Sequence, residues 1–95
     1  MVVSMMQFVI EIPDADSIKD KRRVVKSIKD RLRHKYRLSV SEVDLLDSRS
    51  FSQIGAAVVS NSRQFGESVL QKAIRLVENE VDGRLHDYSI HTETY

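Results

Sequence analysis

The sequence contains no cysteine and no tryptophan, a single proline and three glycines. Without thiols, neither a disulfide framework nor a thiolate metal site is available, and a reducing compartment suits the chain. Aromatic residues are scarce, three Phe and three Tyr in 95 positions, so a surface built to stack bases has few side chains to draw on. No apolar run approaches the roughly 20 residues of a membrane-crossing helix. The most apolar stretch, Met1 to Ile12, is interrupted by Ser4, Gln7 and Glu11, and it has neither the basic flank nor the small-residue cleavage site of a secretory leader. A cytoplasmic protein that does not enter membranes is the expectation. Neither a GxSxG elbow nor a GxxxxGK[ST] phosphate loop is present, and no catalytic residue, cofactor or metal is expected.

What the chain does have is charge, unevenly placed. Ser17 to Arg37 holds ten of the fifteen Lys and Arg residues against only Asp20 and Asp30, a net +8, while the remainder carries −7. The overall +1 conceals this separation. Charge asymmetry of this kind points to an anionic partner.

Periodicity divides the chain into six elements. Val2 to Ile12 alternates as a strand, with Val2, Ser4, Met6, Phe8, Ile10 and Ile12 on a core face and Val3, Met5, Gln7, Val9 and Glu11 on the other. Pro13 ends it. Ser17 is the expected N-cap of a helix to about Lys35, in which Ile18, Val24, Val25, Ile28, Leu32 and Tyr36 share one sector. Lys21 falls in the middle of that sector, where its alkyl stem is expected to pack and its ammonium to snorkel outward. Leu38 to Leu46 reads as a second strand with either a bulge or a departure from its sheet near Ser41-Glu42, and Phe51 to Ser60 as a third, in which Gly55 implies a bulge or a close backbone approach. Asn61 or Ser62 opens a second helix to about Glu80, with Gln64 as a capping-box partner for Asn61. Its inner stripe is expected to be Phe65, Val69, Ala73 and Leu76, widened by Leu70, Ile74 and Val77. Gly83 is the expected stop, Leu85 to Ile90 the last strand, and His91 to Tyr95 a fraying end.

The order βαββαβ predicts an α+β fold, a single ferredoxin-like domain over residues 1–95, with four antiparallel strands and both helices on one sheet face. The other sheet face is then bare, and Val3, Met5 and Val9 make it an expected oligomer interface, most simply of a homodimer.

The stretch SIKDKRRVVKSIKDRLR, the tetrad Val40-Ser41-Glu42-Val43 and the run Gly55 to Asn61 with Arg63 together resemble the YlxP-like family of small bacterial proteins, whose function is not established. The resemblance spans nearly the whole chain in order. It implies a ferredoxin-like fold and a gene near those for translation initiation and ribosome maturation, hence work around RNA or the ribosome. It brings no catalytic residues. Where the family is expected to carry a tryptophan after Asp47, this chain has Arg49.

Within the first helix, Lys19, Arg22, Arg23, Lys26 and Arg33 fall on one flank with Lys29 at its edge, and they are the candidate nucleic-acid-binding residues. The competing explanation is a solvated face, since charge runs commonly serve solubility. Against it, like charges three and four residues apart weaken a helix by about 0.2–0.5 kcal/mol per pair, a cost that an anion contact would explain. The strand–helix order is also that of RNA recognition motifs, but Gln53 to Val59 offers no aromatic for base stacking. Any RNA contact is therefore expected at phosphates and largely independent of sequence. Two other functions fit the same residues: a homodimeric protein-interaction domain whose cationic helix binds an acidic protein, and a small-molecule site in a dimer cleft. His86 and His91, five apart on a strand, are expected to face opposite sides and so hold no zinc. Glu42, Asp44 and Asp47 are expected as exposed strand-end acids, and Ser60-Asn61-Ser62-Arg63 as plain capping.

Overall fold

The structure, a computed structural model, describes residues 1–95. It runs β1 (Val2–Glu11), α1 (Ile18–Tyr36), β2 (Ser39–Asp44), β3 (Phe51–Ser60), α2 (Arg63–Glu80) and β4 (Arg84–Thr94). The four strands form one antiparallel sheet in the order β2-β3-β1-β4. This is the ferredoxin-like sandwich that the element order predicts, with α1 and α2 packed on one sheet face.

Alternation along β1 builds the core. Val2, Ser4, Met6, Phe8 and Ile10 are buried, with Ile12 just beyond the strand, whereas Val3, Met5, Gln7, Val9 and Glu11 face the open side. From α1 come Val25, Ile28 and Leu32, and from α2 Leu70, Ala73, Ile74, Leu76 and Val77. Ser17 caps α1 by accepting from the Asp20 amide at 3.1 Å, and the Asp20 carboxylate reaches back to the Asp16 amide at 3.2 Å. Arg37 closes the helix in the left-handed region, φ 55°, its N–H bonded to the Arg33 carbonyl. Such a termination costs a residue with a Cβ more than it costs glycine.

Several details differ from the sequence-based expectation. In α2 it is Ser62 that caps, accepting from the Phe65 amide at 3.2 Å, so the Asn61–Gln64 capping box does not form. Phe65 is not part of the inner stripe; the residue is 55% exposed, and Gly66 is buried in its place. A Cβ on Gly66 would sit 2.9 Å from that of Ser4, so the missing side chain is what lets α2 approach β1. Gly83 has no positive φ; α2 ends at Glu80 with Val81 extended, and Gly83 instead lies against the Glu11 carbonyl and Ile10. Residues 91–95 do not fray. β4 stays paired with β1 as far as Val2↔Thr94, and Tyr95 donates to the Met1 carbonyl at 2.7 Å. Gly55 marks no bulge, because β3 and β1 stay in register throughout; the Val43 side chain lies over it, 3.1 Å from where a Cβ would be. The bulge expected near Ser41-Glu42 is present, between Glu42 and Asp44.

Candidate functional site

The inner face of α1 is locked into the core, which fixes the direction of its outer flank. Lys19, Arg22, Arg23, Lys26 and Arg33 are exposed there, and Lys29 is half-buried. Two of the six are engaged. Lys26 pairs with Asp30 at 2.9 Å, and the Arg33 guanidinium donates to the Val40 carbonyl of β2 at 2.8 Å. Lys19, Arg22, Arg23 and Lys29 have no carboxylate within 4 Å. The field is felt by Asp30, whose pKa is lowered from the ordinary 3.8, first by the Lys26 hydrogen bond and, against some desolvation, by the charges of Lys26, Arg33 and His34. Arg22, Lys26, Lys29 and Arg33 thus form one row on the β2 side of α1, whereas Arg23 lies across the helix beside Glu80, Val81 and Asp82.

Lys21 departs from expectation. It does not snorkel outward: its side chain is 0% exposed, and the ammonium points inward to the Leu45 carbonyl at 2.7 Å, the Leu46 carbonyl at 3.3 Å and the Glu42 carboxylate at 3.0 Å. The three donors of an ammonium meet three acceptors, the condition for burying such a charge. Nor is Glu42 an exposed strand-end acid, since it also accepts from the Ser52 hydroxyl at 2.6 Å. The network ties the start of α1 to the β2–β3 connection, where Leu45 has a positive φ of 62°. Asp44 and Asp47 do remain exposed.

The open sheet face is the second surface. Val3, Met5 and Val9 are half-buried within it, and Val59 and Val43 on neighbouring strands are 64% and 50% exposed. Met5, Val43, Gly55 and Ala57 help line a shallow concavity of about 470 Å³. Six polar side chains of the open face pair with each other. Gln53 donates to Gln7 at 2.7 Å, His86 meets Glu11 at 2.8 Å and His91 meets Glu93 at 2.7 Å. His86 and His91 therefore share this face rather than opposing ones. An extra residue in β4 between the pairs Phe8↔Tyr88 and Ile10↔Leu85 reverses the parity. No three His, Asp or Glu side chains converge as a metal cluster.

The fold and its surfaces define a small ferredoxin-like domain with one cationic helix flank and one open, mixed apolar sheet face. Residues 3–90 match the family described as protein of unknown function (DUF503), and the chain belongs to that YlxP-like family. The uncharacterized protein YlxP of Bacillus subtilis (strain 168) is 37% identical over 68 residues, which cover 72% of this chain and 74% of that protein. Among solved structures, a de novo designed protein with a ferredoxin fold superposes with a TM-score of 0.60 at 12% identity, covering 100% of this chain and 89% of the other. That likeness concerns the fold alone. No helix is long and apolar enough to cross a membrane.

Proposed function

We propose that this domain is a cytoplasmic, non-enzymatic binding module that holds RNA phosphates along α1, with ribosomal RNA as the target that the family resemblance favours. One observation carries the reading. Lys19, Arg22, Arg23 and Lys29 stand on a rigid helix with no carboxylate partner within 4 Å. No loop has to order before binding, and the free energy comes mostly from counterion release. With four phosphates engaged, log K falls with log salt at a slope of about −2.8 on single strands and about −3.6 on duplex. Fluorescence anisotropy against structured ribosomal RNA fragments tests this directly. Arg22→Glu with Lys29→Glu should abolish binding while leaving the fold intact, because neither residue is in the core. Equal binding by the wild type and the charge reversal would show the flank to be a solvated face. Displacement of RNA by an acidic protein from the same flank would favour the protein-partner function instead.

A second reading concerns the open face, for which we propose a homodimer through Val3, Met5 and Val9. Its support is that the Gln7–Gln53, Glu11–His86 and Glu93–His91 pairs already satisfy polar groups that a partner would desolvate. Four strands about 4.8 Å apart and ten residues at about 3.3 Å give a face of roughly 600 Å², close to the ~800 Å² per partner of a standard interface. Val9→Lys should shift sedimentation from dimer to monomer. A wild type that is monomeric at high micromolar concentration removes the reading.

A further inference from the structure

We propose that the ligand of the α1 flank is one flexible RNA strand, laid end to end along Arg22, Lys26, Lys29 and Arg33 beside the free edge of β2, and not the paired strands of a duplex. The inference rests on the reading that α1 binds RNA phosphates, and it names which RNA.

The row itself comes first. Its members are separated by four, three and four residues, so at about 1.5 Å per residue the charges follow each other every 5 Å or so over about 17 Å; Lys26 joins the row by exchanging its exposed Asp30 pair at 2.9 Å, an interaction of little strength, for a phosphate. The row is nearly straight, because the helix is held along its length by Val25, Ile28 and Leu32 in the core. A strand within a duplex winds away from a straight row after a few phosphates, and the deep, narrow major groove of A-form RNA does not admit a helix. An unpaired strand has neither restriction and can follow the row throughout.

The neighbourhood of the row comes second. β2 ends the sheet, so one of its edges has no strand partner. Arg33 donates to the Val40 carbonyl at 2.8 Å, which fills one of the two lone pairs of that carbonyl and holds the guanidinium against the strand. For a phosphate this bond is an advantage, because the remaining donors of the guanidinium stay available. The end of the row offers no stacking platform either. Tyr36 is half-buried, with its hydroxyl directed at the Lys72 carbonyl. Bases are left to solvent, so base identity should matter little.

The test uses the full chain with a short unstructured oligoribonucleotide, and with the same strand annealed to its complement. The single strand should bind about tenfold more tightly at moderate salt, with a slope near −2.8 for four contacts, against about −1.8 for a duplex touching two. Arg22→Ala and Arg33→Gln, at opposite ends of the row, should each reduce the single-strand slope by about 0.7. Equal affinity for both RNA forms, or a slope insensitive to the two end positions, overturns the single-strand assignment and leaves phosphate binding standing. Binding to neither form overturns the reading beneath it.

Discussion

Replacing Lys21 by methionine probes the least expected feature of the molecule. The substitution keeps most of the buried volume and removes only the ammonium. Glu42, with its side chain 14% exposed, then loses its cation while still accepting from Ser52, and the carbonyls of Leu45 and Leu46 lose their donor. Breaking a buried pair from one side costs about 3–5 kcal/mol, because the remaining charge stays largely shielded from water. A domain of this length has roughly 5–14 kcal/mol in total, so the variant should be folded but fragile. At about 4–8 °C per kcal/mol, Tm should fall by roughly 12–40 °C. Denaturant titration of Lys21→Met, Glu42→Met and the double variant measures the coupling. The double variant should recover part of the loss, since an apolar pair of similar size removes both charges. Amide exchange should also quicken at Ser48, which bonds to the Leu45 carbonyl at 3.0 Å. A loss below about 1 kcal/mol for Lys21→Met, or strict additivity in the double variant, would refute the pairing as a source of stability.

Other positions give sharper local tests. Gly66→Ala forces a methyl group against Ser4 and should cost about 1–3 kcal/mol by overpacking, read from the denaturation midpoint. Ser62→Ala removes the acceptor for the Phe65 amide and should cost about 1 kcal/mol, whereas Asn61→Ala, which caps nothing, should be near neutral; the same titration separates them. Asp30 should titrate by NMR below 3.8 and move upward in Lys26→Ala. Because its folded pKa is depressed, its contribution is complete above the unfolded value and disappears as pH falls through the folded one.

The fold was legible because its signals are local. Period two along β1 sorted all its residues to the correct faces, and Ser17 marked the start of α1 within one residue. The flank of cations was legible for the same reason, since 100° per residue is all that is needed to align Arg22, Lys26, Lys29 and Arg33. What escaped was non-local. Nothing near Lys21 announces Glu42 or the Leu45 carbonyl, so a lysine in an apolar sector looked like one that must reach solvent. Hydrophobicity points Phe65 inward, but the close approach of α2 to Ser4 needs a residue without a side chain, and Gly66 takes the inner position. The extra residue in β4 has no composition cue, and it alone decides that His86 and His91 share a face. A helical cap followed three residues later by Gln64 was a fair signature for Asn61, yet Ser62 competes for the same role one residue on and wins it.

The placement of β1 has a consequence for how the chain is made. It is the first strand in the sequence, yet both its neighbours, β3 and β4, come later, and its partner for Val2 is Thr94. Contacts of such long separation slow folding, because the loop must close before the pairing repays it. During synthesis the strand Val2–Glu11, apolar on both faces, must wait unpaired on one side until β4 emerges. An unpaired apolar strand is an aggregation template. The highly charged helix that follows it directly, emerging next and repelling other copies of itself, is well placed to keep nascent chains apart during that interval.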